Sequence, residues 1–220
     1  MIARRTWHVG LYDDVGSITE LAASLVCPIT KEVFCVPVIA RDGFTYEKSA
    51  MDSWHQSTAR IDALRSPMTN LPMRRGYVIS ITMFKIAIAA LKLGLLECMD
   101  TSALQRFLAI PSRAVTRQQF RTAREDLAGS LVCPVGKCVV AEPCAMEDGY
   151  IYENHSIVNT HSFVCYKKGL PFHSPITKQP MNRSSTAAYA FSNVARAALK
   201  LGLLDGKAAN RLKWKVVCDC

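Results

Sequence analysis

The feature that most constrains this chain is that it repeats itself, because a repeat fixes the number of structural units before any fold is assumed. Ser24-Leu25-Val26-Cys27-Pro28 recurs as Ser130-Leu131-Val132-Cys133-Pro134, and Pro37, Asp42-Gly43 and Tyr46-Glu47 recur as Pro143, Asp148-Gly149 and Tyr152-Glu153, all offset by 106. Ser66-Pro67-x-Thr69 matches Ser174-Pro175-x-Thr177, Pro72-Met73 matches Pro180-Met181, and Ala89 to Leu96 returns unchanged as Ala197 to Leu204, all offset by 108. The second copy therefore carries two extra residues between the Tyr-Glu pair and the Ser-Pro pair, where a surface loop would tolerate them. Each copy is about 75 residues long within a chain of 220. The organisation expected is an N-terminal segment (1–23), a first unit (24–96), a helical linker (97–129), a second unit (130–205) and a basic tail (206–220).

Within a unit the pattern reads loop, hairpin, helix, loop, helix, an α+β arrangement. Val36 to Ala40 is an apolar strand, Asp42-Gly43 is a two-residue hairpin turn, and Phe44 to Tyr46 returns. Lys48 to about His55 suits a short helix with Ala50, Met51 and Trp54 on one face. Ser66 to Asn70 breaks the chain into a loop. From Val78 to Leu93 the apolar spacing is helical, and Gly94 fits a left-handed cap. In the second copy Ser184 or Ser185 would cap the matching helix. Thr101 to Leu127 reads as helical with a break at Pro111.

Cys-Pro-Ile-Thr, a Pro-containing apolar strand, Asp-Gly-x-Thr-Tyr-Glu, a Trp eight residues after the Tyr and then Arg-Ser-Pro-x-Thr together resemble the U-box, a RING-like domain that holds its outline without zinc. The resemblance covers Leu25 to about Leu93 and Leu131 to about Leu201. It implies two small zinc-free RING-like domains joined by a helical linker, similar to tandem U-box E3 ubiquitin ligases that intracellular bacteria deliver into host cells. A ligase of this kind has no nucleophile of its own. It holds a ubiquitin-charged E2 so that a substrate lysine attacks the thioester, and its rate gain comes from positioning. By resemblance, Ile29, Trp54 and Pro67 form the apolar platform for the E2, and Arg65 is the donor that bridges E2 and ubiquitin, its planar fork suiting two carbonyl partners. The alternatives are that Trp54 is a core aromatic and that Ile29 and Pro67 only pack their loops. At the matching places the second copy has Val135, Thr160 and His173 beside a retained Pro175, so it is expected to bind substrate or another partner. A pair of non-catalytic units acting as an adaptor is the competing reading.

The chain has no Cys-x-x-Cys, and the first copy offers only Cys27, Cys35 and His55. The second copy has Cys133, Cys138, Cys144, His155, His161, Cys165 and His173, of which four could converge. Buried cysteines acting as small hydrophobes account for them better, so neither metal nor cofactor is expected.

Composition narrows the remaining classes. The net charge of +9 favours acidic partners, but arginines 106, 113, 117, 121 and 124 are spread out, with Arg211, Lys213 and Lys215 near the end. No aromatic-rich basic strand or recognition helix supports a nucleic-acid partner. Nine cysteines without a paired framework indicate a reducing compartment, and Met1 to His8 shows no secretory signal. The chain is therefore expected to be cytoplasmic, or in the host cytosol after secretion if its source is an intracellular bacterium. Lys85 and Lys92 interrupt the apolar stretch Tyr77 to Leu96, which reads as a core helix. A membrane enters only through the terminal Cys218-Asp219-Cys220, if it is lipidated.

Overall fold

The computed structural model describes residues 14–57, 64–97, 99–108 and 116–204. The break expected at Pro111, the terminal Cys-x-Cys and Arg113, Arg211, Lys213 and Lys215 lie outside them. Among the described residues the chain builds two units of the same plan, each preceded by a helix. In the first unit α1 (Val15–Ala23) leads into β1 (Pro37–Ala40), β2 (Thr45–Glu47), α2 (Lys48–Ser57), β3 (Tyr77–Ile79) and α3 (Ile81–Lys92). Between the units lies α4 (Ser102–Leu108). In the second, α5 (Arg117–Ser130) leads into β4 (Pro143–Ala145), β5 (Ile151–Glu153), a π-helical stretch (His155–His161), α6 (Ser162–Lys167), β6 (Thr186–Ala187) and α7 (Tyr189–Lys200). The two sheets are antiparallel, ordered β2-β1-β3 and β5-β4-β6.

Three expectations are corrected. Tyr77–Ile79 is not the start of a helix but a strand beside β1, and α3 begins after Ser80, whose hydroxyl accepts from Met83 N. Likewise Thr186–Ala187 is a strand, so neither Ser184 nor Ser185 caps α7; the residue before that helix is Ala188, with no side-chain cap. The hairpin turn is one residue longer than expected. Gly43 N donates to Ala40 O and Ala40 N to Phe44 O, a three-residue loop with Gly43 at φ 83°. The carboxylate of Asp42 fixes this turn, accepting from Phe44 N and from the Tyr46 hydroxyl.

The duplicated Ala-Ala-Leu-Lys-Leu-Gly-Leu-Leu segment has a physical purpose as a helix stop. Gly94 at φ 72° donates to Leu91 O while Leu95 N reaches Ala90 O, and Gly202 and Leu203 repeat the pattern on Leu199 and Ala198. Both are Schellman caps, which need the left-handed residue that glycine supplies.

The units share one core. Helix α3 packs against α5, and α1 packs against α7, so each unit's leading helix lies on the other unit's last helix. Leu21, Leu25 and Ala90 belong to the same buried cluster as Leu127, Leu131 and Ala198. The hairpin turns dock reciprocally. Tyr189 N donates to Gly43 O, and Ile81 N donates to Gly149 O. A β-carbon on Gly43 would lie 2.5 Å from the Tyr189 ring, and one on Gly149 would lie 2.8 Å from Ile79 O, so both glycines are required by close approach. Thr82 Oγ1 accepts from Ile151 N, Arg41 donates to Thr186 Oγ1, and Lys200 pairs with Glu20 across the same seam. No described helix is long and apolar enough to cross a membrane.

Candidate functional site

Each unit presents two turns of one design. In the first unit Lys31 N donates to Cys27 O and Asn70 N donates to Ser66 O, with Lys31 and Asn70 at positive φ. Bridges Val26–Val33 and Arg65–Pro72 close their bases. The second unit repeats both turns, with Lys137 and Lys178 at positive φ and bridges Val132–Val139 and His173–Pro180.

Polar side chains hold these turns in place. Cys27 Sγ accepts from Glu47 N, and the Glu47 carboxylate accepts from Cys35 N at 2.8 Å and from Val36 N at 3.0 and 3.1 Å. Ser66 Oγ accepts from Met68 N and Thr69 N. In the second unit Cys133 Sγ accepts from Gly136 N and Glu153 N, Glu153 accepts from Ala141 N and Glu142 N, and Ser174 Oγ takes the place of Ser66 Oγ. Ser174 and Tyr152 hydroxyls both donate to Asp148 Oδ2. Burial first, and the adjacent Asp42 or Asp148 second, push the Tyr46 and Tyr152 phenols well above their usual range, so both remain donors. Asp42, Glu47, Asp148 and Glu153 thus clamp backbone and tyrosine donors. Lys48 pairs with Asp52 on the surface, and Lys178 donates to Pro175 O. The Lys48 hydrogen bond, then that of Tyr77, holds the Asp52 carboxyl below the ordinary carboxylate range.

On this frame the first unit exposes apolar side chains. Ile29 on the first turn is 37% exposed and Trp54 on α2 is 36% exposed. Pro67 is half-buried in the second turn, flanked by exposed Met68 and Leu71, which the sequence reading did not single out. Trp54 Nε1 donates to Arg65 O at 2.9 Å, tying α2 to the second turn, and Arg65 Nη1 donates to Asn70 O within that turn. Trp54 is therefore no core aromatic; it spans helix and turn with one face in solvent.

In the second unit Val135 and Pro175 are half-buried and Ile176 is exposed. The residue that does what Trp54 does is His161, not Thr160: His161 Nε2 lies 2.8 Å from His173 O, where Trp54 Nε1 lies 2.9 Å from Arg65 O. Thr160 is exposed on the π-helical stretch. A π-helical stretch holds an extra residue within a helix, so it shifts the register by one and turns the next residue toward the second turn. One of the two inserted residues is thus absorbed here, in the helix, and not in a surface loop as expected. His161 and His173 also converge with buried Cys165, while Cys133, Cys138 and Cys144 do not join them.

Residues 23–92 match the family model described as U-box domain. A U-box domain is present in this chain. The U-box is similar, at 52% identity over 48 residues, to WD repeat, SAM and U-box domain-containing protein 1 of Gallus gallus; the match covers 22% of this chain and 9% of the relative. U-box domain-containing protein 51 of Arabidopsis thaliana is 50% identical over 46 residues, covering 21% and 5%. The Probable bifunctional E2/E3 enzyme R795 of Acanthamoeba polyphaga mimivirus is 32% identical over 77 residues, covering 32% and 6%. The matches span less than a tenth of these relatives' own length.

Proposed function

We propose that the chain is an E3 ubiquitin ligase whose U-box docks a ubiquitin-charged E2, while the second unit, a diverged U-box, recruits the substrate protein. The observation that carries this reading is the difference between two units of one plan. The first offers Trp54 on α2 beside Ile29, Pro67, Met68 and Leu71 on clamped turns, and the second replaces the tryptophan with His161 and the arginine with His173. Apolar side chains on rigid turns suit a docking surface, because little side-chain entropy is lost on binding. Arg65 donates to Asn70 O through one nitrogen, and its remaining guanidinium donors support a role in contacting E2 and ubiquitin carbonyls together. Catalysis then consists of restraining the thioester near an incoming lysine, with no covalent intermediate on this chain. The proposed setting is the cytoplasm, or the host cytosol if the source is an intracellular bacterium.

Purified chain with E1, ubiquitin and a panel of E2 enzymes is expected to build ubiquitin chains with at least one E2. Ile29→Ala should abolish synthesis and Val135→Ala should leave it intact. No activity with any E2 would favour the adaptor reading, and equal loss in both variants would refute the division between units.

A further inference from the structure

The second unit brings His161, Cys165 and His173 together where the U-box has Trp54 and Arg65. His161 and Cys165 are one turn apart at the junction of the π-helical stretch and α6, and His173 stands at the base of the second turn. Their candidate ligand atoms all lie within 4.8 Å of one another. Cys165 Sγ is 3.5 Å from His161 Nε2 and 3.6 Å from His173 Nδ1. A tetrahedral zinc ion with Zn–S of about 2.3 Å and Zn–N of about 2.0–2.1 Å requires sulfur and nitrogen about 3.6 Å apart. The thiol is 1% exposed and both imidazoles are half-buried, so the ligand set is shielded but reachable from solvent on the histidine side. The ring of His161 is held edge-on against Phe172 at 5.7 Å and against His173 at 5.2 Å, which limits its swing.

We propose that His161, Cys165 and His173 bind one zinc ion, with a fourth position left to water or to a group from a partner. Three independent substitutions relative to the first unit converge on it: Trp to His, Arg to His, and a cysteine four residues beyond the first histidine. The extra helical residue gives His161 its register. In the U-box a tryptophan N–H bonds α2 to the second turn; in the second unit a metal does that work with a stronger link. Binding forms three metal–protein bonds and releases the Cys165 thiol proton to solvent. Each imidazole must present an unprotonated nitrogen. The proton on His161 Nε2, which faces His173 O, moves to Nδ1, and the one on His173 Nδ1, which faces Pro171 O, moves to Nε2. Zinc has no d-electron preference to lose on becoming tetrahedral, whereas aqueous octahedral cobalt does, so cobalt is a usable probe that zinc displaces.

The test uses the full chain carrying Cys218→Ser and Cys220→Ser, which removes the terminal Cys-x-Cys as a competing chelator. After chelation and dialysis under reducing conditions, Co²⁺ is titrated in. The expected result is a tetrahedral visible spectrum with a thiolate charge-transfer band, saturating at one cobalt per chain and bleached by one equivalent of zinc. Zinc should also raise the unfolding midpoint. Cys165→Ser should lose both effects. So should His173→Arg, which installs the residue the U-box carries at this place and is therefore expected to fold. A spectrum no different from that of aqueous cobalt, or a tetrahedral signal that survives Cys165→Ser and His173→Arg, would overturn the proposal.

Discussion

Replacing Glu47 with alanine tests what holds the U-box turns in place of a metal. The carboxylate accepts from Cys35 N and Val36 N at 2.8 to 3.1 Å, and its removal leaves both partly buried amides without their charged acceptor. An unsatisfied buried donor costs about 1–3 kcal/mol. Because these two are only part-buried, the lower half of that range applies, and the expected loss is about 2–4 kcal/mol in total. For a chain of this size each kcal/mol corresponds to about 2–4 °C, so the midpoint should fall by roughly 4–16 °C. Urea denaturation followed by circular dichroism would read the loss as a shifted midpoint at unchanged slope. Glu47→Gln keeps one acceptor and should lose about half as much, and Glu153→Ala should mirror Glu47→Ala through Ala141 N and Glu142 N. Because the core runs through both units, a single transition is expected in every case. If Glu47→Ala costs less than about 0.5 kcal/mol, as a surface carboxylate would, or equals Glu47→Gln, the clamp argument fails.

Gly43→Ala should destabilise the chain by about 1–3 kcal/mol, because a β-carbon strikes Tyr189 and φ is positive, and a Gly43→Ala/Tyr189→Ala cycle should show coupling of about 1 kcal/mol; strict additivity would mean the two do not touch. Gly94→Ala, which strains the Schellman cap of α3, should cost about 1 kcal/mol in the same denaturation assay. Burial first, and Arg75 second, lower the pKa of His55, so the folded state favours its neutral form. The stability this contributes is present above the unfolded value of about 6.5 and is lost as pH falls through the folded value. Midpoints measured from pH 8 to 5 should fall with acid in the wild type and less in His55→Gln; parallel curves would refute the assignment.

Much of the unit was legible from sequence because turns and caps depend on residue identity. The Asp-Gly pair, the Ser-Pro turn and the Leu-Gly-Leu stop each encode a local geometry, and their repetition doubled the signal. What was missed depended on tertiary contact. Tyr77–Ile79 is apolar and contiguous with α3, so periodicity could not separate strand from helix; pairing with β1 decided it. Helix α1 falls in the N-terminal segment before the repeat, although Leu21-Ala22-Ala23-Ser24 echoes Leu127-Ala128-Gly129-Ser130 at the end of α5. The two-residue offset located an insertion but could not divide it, and so Trp54 was matched to Thr160 one position short of His161. The cluster of His161, Cys165 and His173 was visible as composition only; the π-helical register supplies its geometry. Nothing in the sequence announced that each hairpin glycine would seat against the other unit's last helix.

The claim that the first unit alone presents the conjugating-enzyme surface is tested most directly by discharge of ubiquitin from a charged E2 to free lysine. Truncating a central docking side chain costs about 2 kcal/mol or more at a binding hot spot, so Ile29→Ala should slow discharge by about tenfold or more below a saturating E2 concentration. Val135→Ala and Thr160→Ala should leave the rate within about twofold of wild type. A wild-type rate for Ile29→Ala, or a tenfold loss for Val135→Ala, would contradict it.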